Sequence, residues 1–445
     1  MVSETQPTIL VLGASGLIGH ALASRLRRAG YPVVGVARRF SLAQKAALEG
    51  HVREADILRL DASGLENLFS RHGADIVVNC IGVLQDSSRR GSAADAHSGL
   101  VGRLAEAMAL EGAAPRLLVH LSIPGRPEED KTQFSRTKRD ADGILAASGA
   151  AHVVLRPGFV IAPAAYGGSA LIRALAALPL DLPRHESSRP FATTDVNDIV
   201  RTVCHVARRW REGERVWRTV WDVMEETPTT VGAVIDAFRV HLGGPRRRLR
   251  LPAWLMRLGA SAGDIAAGLG WSPPIRSTAL AEMRRGVSGD PRRWMAETGI
   301  EPSSLGQTLA RLDATVQESW FARLYLAKPA VIGGLAAFWT VSGVIALTVG
   351  FEAAASILVG AGVPARLAQA TTAVTSLADI AVGAAIAYRP TCRVGLMAGI
   401  ALSLAYMAGA VVLTPGLWLD PLGPLVKTGP AILLMAVALA IMDER

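Results

Sequence analysis

Three glycines spaced Gly13-x-x-Gly16-x-x-Gly19 follow the apolar run Ile9 to Leu12 and open a stretch with Leu17, Ile18, Ala21, Leu22 and Leu26 at helical spacing. A strand, glycine turn and helix in that order are suited to hold a pyrophosphate. Gly13 permits the tight turn, Gly16 lets backbone approach the phosphates, and Gly19 lets the helix pack against the strand. Ser15, Leu17 and Ile18 belong to the same turn, at the helix N-terminus that faces the phosphates. About 20 residues past such glycines, an acid would bind the ribose 2′-hydroxyl of NAD and an arginine would accept the 2′-phosphate of NADP. Arg38 and Arg39 stand there with no acid nearby in sequence, which favours NADP over NAD.

Asp379 is unusual for a different reason: it lies inside a long apolar stretch. A carboxylate there is expensive and is expected to face a helix interior, either in a helix-to-helix hydrogen bond or in proton or quinone chemistry. Lys427 is a candidate partner, but the drawn spans put it nearer the outer surface by roughly 13 Å at 1.5 Å per residue.

The elements that position these residues follow from periodicity. Strand-like pieces at Thr8 to Leu12, Pro32 to Ala37, Asp75 to Cys80, Arg116 to Leu121 and His152 to Leu155, with a shorter one at His51 to Asp56, alternate with helical pieces. This predicts a doubly wound parallel sheet covered by helices, an α/β dinucleotide-binding domain over 1–156. From 157 to 320 the pattern is irregular and broken by Pro179, Pro183, Pro190, Pro273 and Pro274, as expected of a smaller substrate-side lobe. Within it, Leu251, Leu255, Leu258, Ala262, Ile265 and Leu269 define an apolar helix face. That face is expected in the core, with a membrane-surface helix as the alternative.

Residues 321–445 carry four apolar stretches, at about 329–351, 367–388, 394–414 and 424–442, each near the ~20 residues that span a bilayer. The expectation is an all-α four-helix transmembrane bundle in the inner (cytoplasmic) membrane. Arg323, Lys328, Arg389 and Arg393 outweigh Arg366 and Lys427 on the other side, which predicts both termini cytoplasmic. A cleaved leader is not expected, because Glu4 and no Lys or Arg precede the first apolar run, which glycine interrupts. The net charge of +9 gathers in clusters such as Arg246-Arg247-Arg248 with few aromatics interleaved. That argues for anionic lipid rather than nucleic acid. Cys80, Cys204 and Cys392 fit neither metal nor disulfide spacing and suit a reducing compartment.

Gly13 to Gly19, Asn79-Cys80-Ile81-Gly82, His120-Leu121-Ser122, Leu155-Arg156-Pro157-Gly158 and the tail motif Leu417 to Pro424 together resemble a family. It is the atypical, extended short-chain dehydrogenases/reductases, with an NAD(P)-binding head, fused to a DoxX-like four-helix membrane domain. The resemblance implies that Asp56 and Ile57 flank an adenine, that Asn79 and Gly82 lie at the cofactor, and that Lys138 holds the nicotinamide ribose. It also implies catalysis by a serine and a Tyr-x-x-x-Lys motif. Ser122 and Lys138 match, but Phe134 stands at the tyrosine position, and a phenyl ring has no proton to transfer. Ser135, Thr137 and Tyr166 are conceivable substitutes.

Two functions follow from the resemblance. One is a membrane-anchored, NADP(H)-dependent oxidoreductase acting on a hydrophobic, quinone or lipid-like substrate. The other is a catalytically impaired nucleotide-binding accessory or assembly protein with a membrane-protein partner, resembling the nucleotide-binding accessory subunit of respiratory complex I. No metal is expected in either.

Overall fold

The structure, a computed structural model, describes residues 6–84, 92–421 and 423–442. Leu422 of the tail motif lies outside them. The chain divides into two compact units, Met1–Ser261 with Pro274–Ala322, and Ala262–Pro273 with Arg323–Arg445.

The first unit is built on a parallel sheet of seven strands: β1 Ile9–Leu12, β2 Val33–Ala37, β3 Val52–Glu54, β4 Ile76–Asn79, β5 Leu117–Leu121, β6 His152–Pro157 and β7 Arg218–Val223. Their order is β7-β6-β5-β4-β1-β2-β3, so the chain reverses direction across the sheet between β1 and β4. Side chains alternate between its faces. Ile9, Val11, Val33, Ile76 and Val78 pack on one side with α1 (Leu17–Arg28), while Leu10, Leu12, Val36 and Val77 pack on the other. That second side is covered by α2 (Ala62–Arg71), α3 (Leu100–Ala109) and α4 (Gln133–Ala147). Burial on both faces explains the near-continuous apolar strands.

The sheet as expected lacked β7, which the irregular stretch supplies by pairing with β6 from Arg218↔His152 to Val223↔Pro157. As an edge strand it carries arginine, threonine and aspartate among its apolar residues, so no apolar run betrays it. It is held by a tryptophan cluster. Trp294, with no exposed surface, packs beside Trp217 and Trp221, and its indole N–H donates to Thr202 Oγ1 at 3.0 Å on α5 (Val196–Arg211). Trp294→Ala is expected to cost about 3–5 kcal/mol in denaturant unfolding, because the cavity cannot collapse against a sheet edge.

α6 (Ala253–Gly268) corrects the expected core face. Leu255, Leu258, Ile265 and Leu269 are exposed, as is Trp254, whereas Ala260 and Gly263 on the opposite side are buried. The helix packs through its small residues because they allow close approach, and its large ones are left outside.

The second unit is helical: α7 (Ala327–Leu347), α8 (Phe351–Gly360), α9 (Ala365–Ala387), α10 (Cys392–Leu413) and α11 (Pro424–Ala440). Among the described residues, three helical runs are long and apolar enough to cross a membrane, Val316–Leu347, Ala365–Ala387 and Cys392–Leu413. The expected fourth span is α11, whose 17 residues reach only about 25 Å against a hydrocarbon core of about 30 Å, and which contains Pro430. The count of four spans is therefore corrected, among the described residues of this unit, to three long helices and two shorter apolar ones, α8 and α11. A Cβ on Gly343 would lie 2.6 Å from the Ser376 carbonyl oxygen, and one on Gly383 would lie 2.7 Å from the Thr340 nitrogen. Small residues thus bring the α7 and α9 backbones into contact.

Asp379 on α9 faces this interior. Its Oδ1 accepts from the Tyr406 hydroxyl of α10 at 2.7 Å, a partner the sequence did not suggest, while Lys427 is exposed.

Candidate functional site

The glycine turn leaves β1 with Gly13 at φ +79°, a conformation that disfavours a side chain. The N–H groups of Gly13 and Ala14 both donate to the Val36 carbonyl, at 2.8 and 3.1 Å, which ties the turn to β2. A Cβ on Gly19 would fall 2.3 Å from the Gly13 oxygen and 2.8 Å from its carbonyl carbon. Gly16 precedes α1, and no side chain caps that helix. Its first N–H groups therefore stay available to an anion. Ser15, Leu17 and Ile18 lie within the same turn, and the Ser15 carbonyl accepts from Gln44 Nε2 at 3.1 Å.

Arg38 and Arg39 are exposed just past β2. The neighbourhood does hold an acid, which the sequence reading missed because it comes from β3. Glu54 Oε1 accepts from the Phe40 N–H at 3.1 Å and pairs with Lys45 at 3.0 Å. The Lys45 bond, then the Phe40 N–H, holds its carboxyl below the usual range. Asp56 pairs with Arg59 at 3.3 Å, and Ile57 is buried in the core.

The ends of β4 and β5 converge on α4. That helix is capped by Thr132, whose hydroxyl accepts from the Ser135 N–H at 3.1 Å, and carries Phe134 and Lys138 one turn apart. Lys138 Nζ donates to the Leu121 carbonyl at 2.8 Å and to the Ile81 carbonyl at 3.2 Å, joining both strand exits. A Cβ on Gly82 would lie 3.7 Å from Lys138 Nζ, so the Gly82 backbone borders the ammonium. Ser122 follows β5; its N–H donates to the Leu155 carbonyl at 2.8 Å. Its buried hydroxyl has no partner among the described residues. A buried hydroxyl left without a bond is costly unless something else completes it.

Asn79 fixes the β4 exit. Its Oδ1 accepts from the Ile81 N–H at 3.0 Å and its amide lies 3.2 Å from His120 Nδ1, so that ring nitrogen accepts and Nε2 carries the proton. Burial, then Lys138, keeps His120 neutral by lowering its pKa well below the usual value.

His97 went unnoticed in the sequence, where a lone histidine gives no periodic signal. Its Nε2 accepts from the Val83 N–H at 3.0 Å, so Nδ1 carries the proton and donates to Thr137 Oγ1 at 2.8 Å; that hydroxyl donates in turn to the Gln133 carbonyl at 2.8 Å. Burial, then Lys138, pushes the imidazole down to about 3. The ring stands edge-to-face against Phe134 with centroids 5.5 Å apart.

Of the conceivable replacements for the missing phenol, Thr137 is committed to His97 and Gln133, and Ser135 is fully buried in the helix cap with Thr132. Tyr166 sits in the turn before the helix Gly168–Ala177, with its N–H on Ser169 Oγ.

Burial lowers the Lys138 pKa to about 8, with Asp142 opposing. The unfolded chain then binds more protons than the folded one between about pH 8 and the ordinary lysine value. Stability should therefore rise with pH across that window and be lowest, for this group, below it. The difference is roughly 3 kcal/mol at 1.36 kcal/mol per unit. Thermal unfolding across this range should rise more steeply in the wild type than in Lys138→Met.

Residues 9–217 match the NAD dependent epimerase/dehydratase family, and residues 336–436 match the DoxX-like family. Residues 9–217 form an epimerase-type, short-chain dehydrogenase/reductase-like domain and residues 336–436 a DoxX-like one. Solved structures agree on the head's fold. UDP-glucuronic acid 4-epimerase from Bacillus cereus, in complex with UDP-glucuronic acid and NAD, is 15% identical with a TM-score of 0.50, covering 72% of this chain and 99% of its own. UDP-glucose 4-epimerase from Thermotoga maritima with UDP-glucose is 16% identical at TM-score 0.50, with 72% and 99% covered. A human epimerase family protein with NADPH is 18% identical at TM-score 0.50, with 68% and 98% covered. Comparison with curated proteins finds no match.

Proposed function

We propose that the head binds a nicotinamide nucleotide, NADP(H) in preference to NAD(H), and that the chain is a membrane-anchored oxidoreductase working on a hydrophobic, quinone or lipid-like substrate at the cytoplasmic face of the inner membrane. The observation that carries the nucleotide reading is the join of two features. The Gly13–Gly19 turn leaves an uncapped helix end, and Lys138 and the unpartnered Ser122 hydroxyl lie beyond the exits of the neighbouring strands. Gly13, Ser15, Gly16, Leu17, Ile18 and Gly19 would receive the pyrophosphate, Asp56 and Ile57 would flank the adenine, and Asn79, Gly82 and Lys138 would receive the nicotinamide ribose. The bound nicotinamide supplies a hydride or accepts one. Ser122 would donate a hydrogen bond to a substrate or cofactor oxygen, and Lys138 would hold positive charge against the ribose.

The likeness of the head to NAD- and NADPH-bound epimerase structures supports a nicotinamide nucleotide. Arg38 and Arg39 support NADP, because guanidinium bonds to phosphate are charge-assisted and Glu54 is already engaged by Lys45. Fluorescence titration should show NADPH binding tighter than NADH. Arg38→Ala should weaken NADPH roughly tenfold, about 1.4 kcal/mol, and leave NADH unchanged. Failure of both nucleotides to bind would overturn the reading.

Phe134 supports a second reading, a nucleotide-binding accessory or assembly protein that does not turn over. Binding of NADPH without oxidation across carbonyl, quinone and nucleotide-sugar panels would favour it.

A further inference from the structure

We infer that α6 is an interfacial helix, lying in the anionic headgroup layer of the bilayer that the helical unit crosses, with Trp254, Leu258 and Ile265 directed into the lipid. This rests on the membrane reading above and adds a second lipid-binding element to it. Trp254, Leu258 and Ile265 are 65%, 58% and 69% exposed, and steps of four and seven place them on one side of the helix. The opposite side is the buried one, through Ala260 and Gly263. An unpaired apolar stripe with a tryptophan is out of place in water and suits the lipid boundary.

Depth comes from the segment that follows the helix. Within the helical unit, Trp271 Nε1 donates to the Ala387 carbonyl at 2.7 Å, and the Arg389 N–H donates to the Leu269 carbonyl at 3.0 Å. The Arg389 guanidinium lies 5.2 Å from the centre of the Trp271 ring. Ala387 ends α9 and Cys392 starts α10, so the C-terminal end of α6 is fastened where two long apolar helices leave the membrane.

Charge selects the lipid. Lys328 Nζ and Arg389 Nη2 both approach the Met442 carbonyl, at 3.3 and 3.5 Å, so the start of α7, the end of α9 and the end of α11 meet at this same end of the bundle. Arg393 begins α10 there, and Arg257 is exposed on α6 itself. Basic side chains at the end of the bundle where α6 is fastened are complementary to anionic headgroups.

The test uses the full chain in bilayer nanodiscs of phosphatidylcholine with and without phosphatidylglycerol. Nitroxide labels are placed singly through Leu258→Cys, Ile265→Cys and, as a control on α10, Val411→Cys. The native thiols are removed by Cys80→Ser, Cys204→Ser and Cys392→Ala. Labels at 258 and 265 should meet dissolved oxygen several-fold more often than a water-soluble nickel chelate in the anionic discs, and less markedly in phosphatidylcholine alone. Water-like accessibility at 258 and 265 with an immersed label at 411 would overturn the inference and leave the spans standing. Water-like accessibility at all three would overturn the membrane reading beneath it. Equal immersion in both lipids would remove the anionic headgroup, and spin–spin broadening at 258 would assign the face to a second copy of the chain instead.

Discussion

Gly19→Ala is expected to abolish nucleotide binding and to destabilise the head by about 3 kcal/mol, the upper end of the usual cost of overpacking. The added carbon would stand 2.3 Å from the Gly13 oxygen and 2.8 Å from the Gly13 carbonyl carbon. Both are backbone atoms, so no rotamer change relieves the clash. Relief must come from moving α1 away from the turn, and that displaces the helix N-terminus from the place where phosphate would sit. Gly82 provides the contrast. A Cβ there would find its nearest neighbours at 3.7 Å, in the flexible end of Lys138, so Gly82→Ala should leave stability nearly unchanged. Thermal unfolding and NADPH titration of the two variants check both statements. Retained binding in Gly19→Ala would separate the glycine turn from the nucleotide.

Phe134→Tyr is expected to raise the rate of carbonyl reduction by about 10²- to 10⁴-fold over the wild type, the usual worth of a positioned acid or base. Residue 134 lies one turn from Lys138 on α4, and an ammonium that close favours the phenolate over the phenol. The wild-type ring sits against His97, which is neutral and has both ring nitrogens committed, to Val83 and Thr137. Neither that imidazole nor the Thr137 hydroxyl has a proton to spare for a substrate. Single-turnover reduction with NADPH over a panel of aldehydes, ketones and quinones measures the gain. No gain with any of them would favour the accessory role over the oxidoreductase.

Much of the head was legible in sequence because its signals are local. The strand–turn–helix around Gly13 is specified by residues within one segment, and β1, β2, β4, β5 and β6 announce themselves as apolar runs, while β3, Val-Arg-Glu, is short and polar. β7 did not, because an edge strand is half polar and its assignment depends on pairing with β6, more than sixty residues away in the chain. The same holds at the site. Lys138 is matched by the family resemblance, but its bonds to Ile81 and Leu121 span 57 and 17 positions, and the His97–Thr137 bond spans 40. Glu54 escaped because nearness to Arg39 arises across two strands rather than along one.

The membrane part divides in the same way. Composition alone determined that the chain ends in apolar helices, since hydropathy is a sum over residues. Packing decided their number and lengths, the Asp379–Tyr406 hydrogen bond and the outward side of α6. An apolar face read from sequence says that a helix needs a dry neighbour, and only the tertiary arrangement says whether protein is there to serve. For α6 the small residues took the protein side, because they let the backbone approach closely, and the large apolar residues were left facing out.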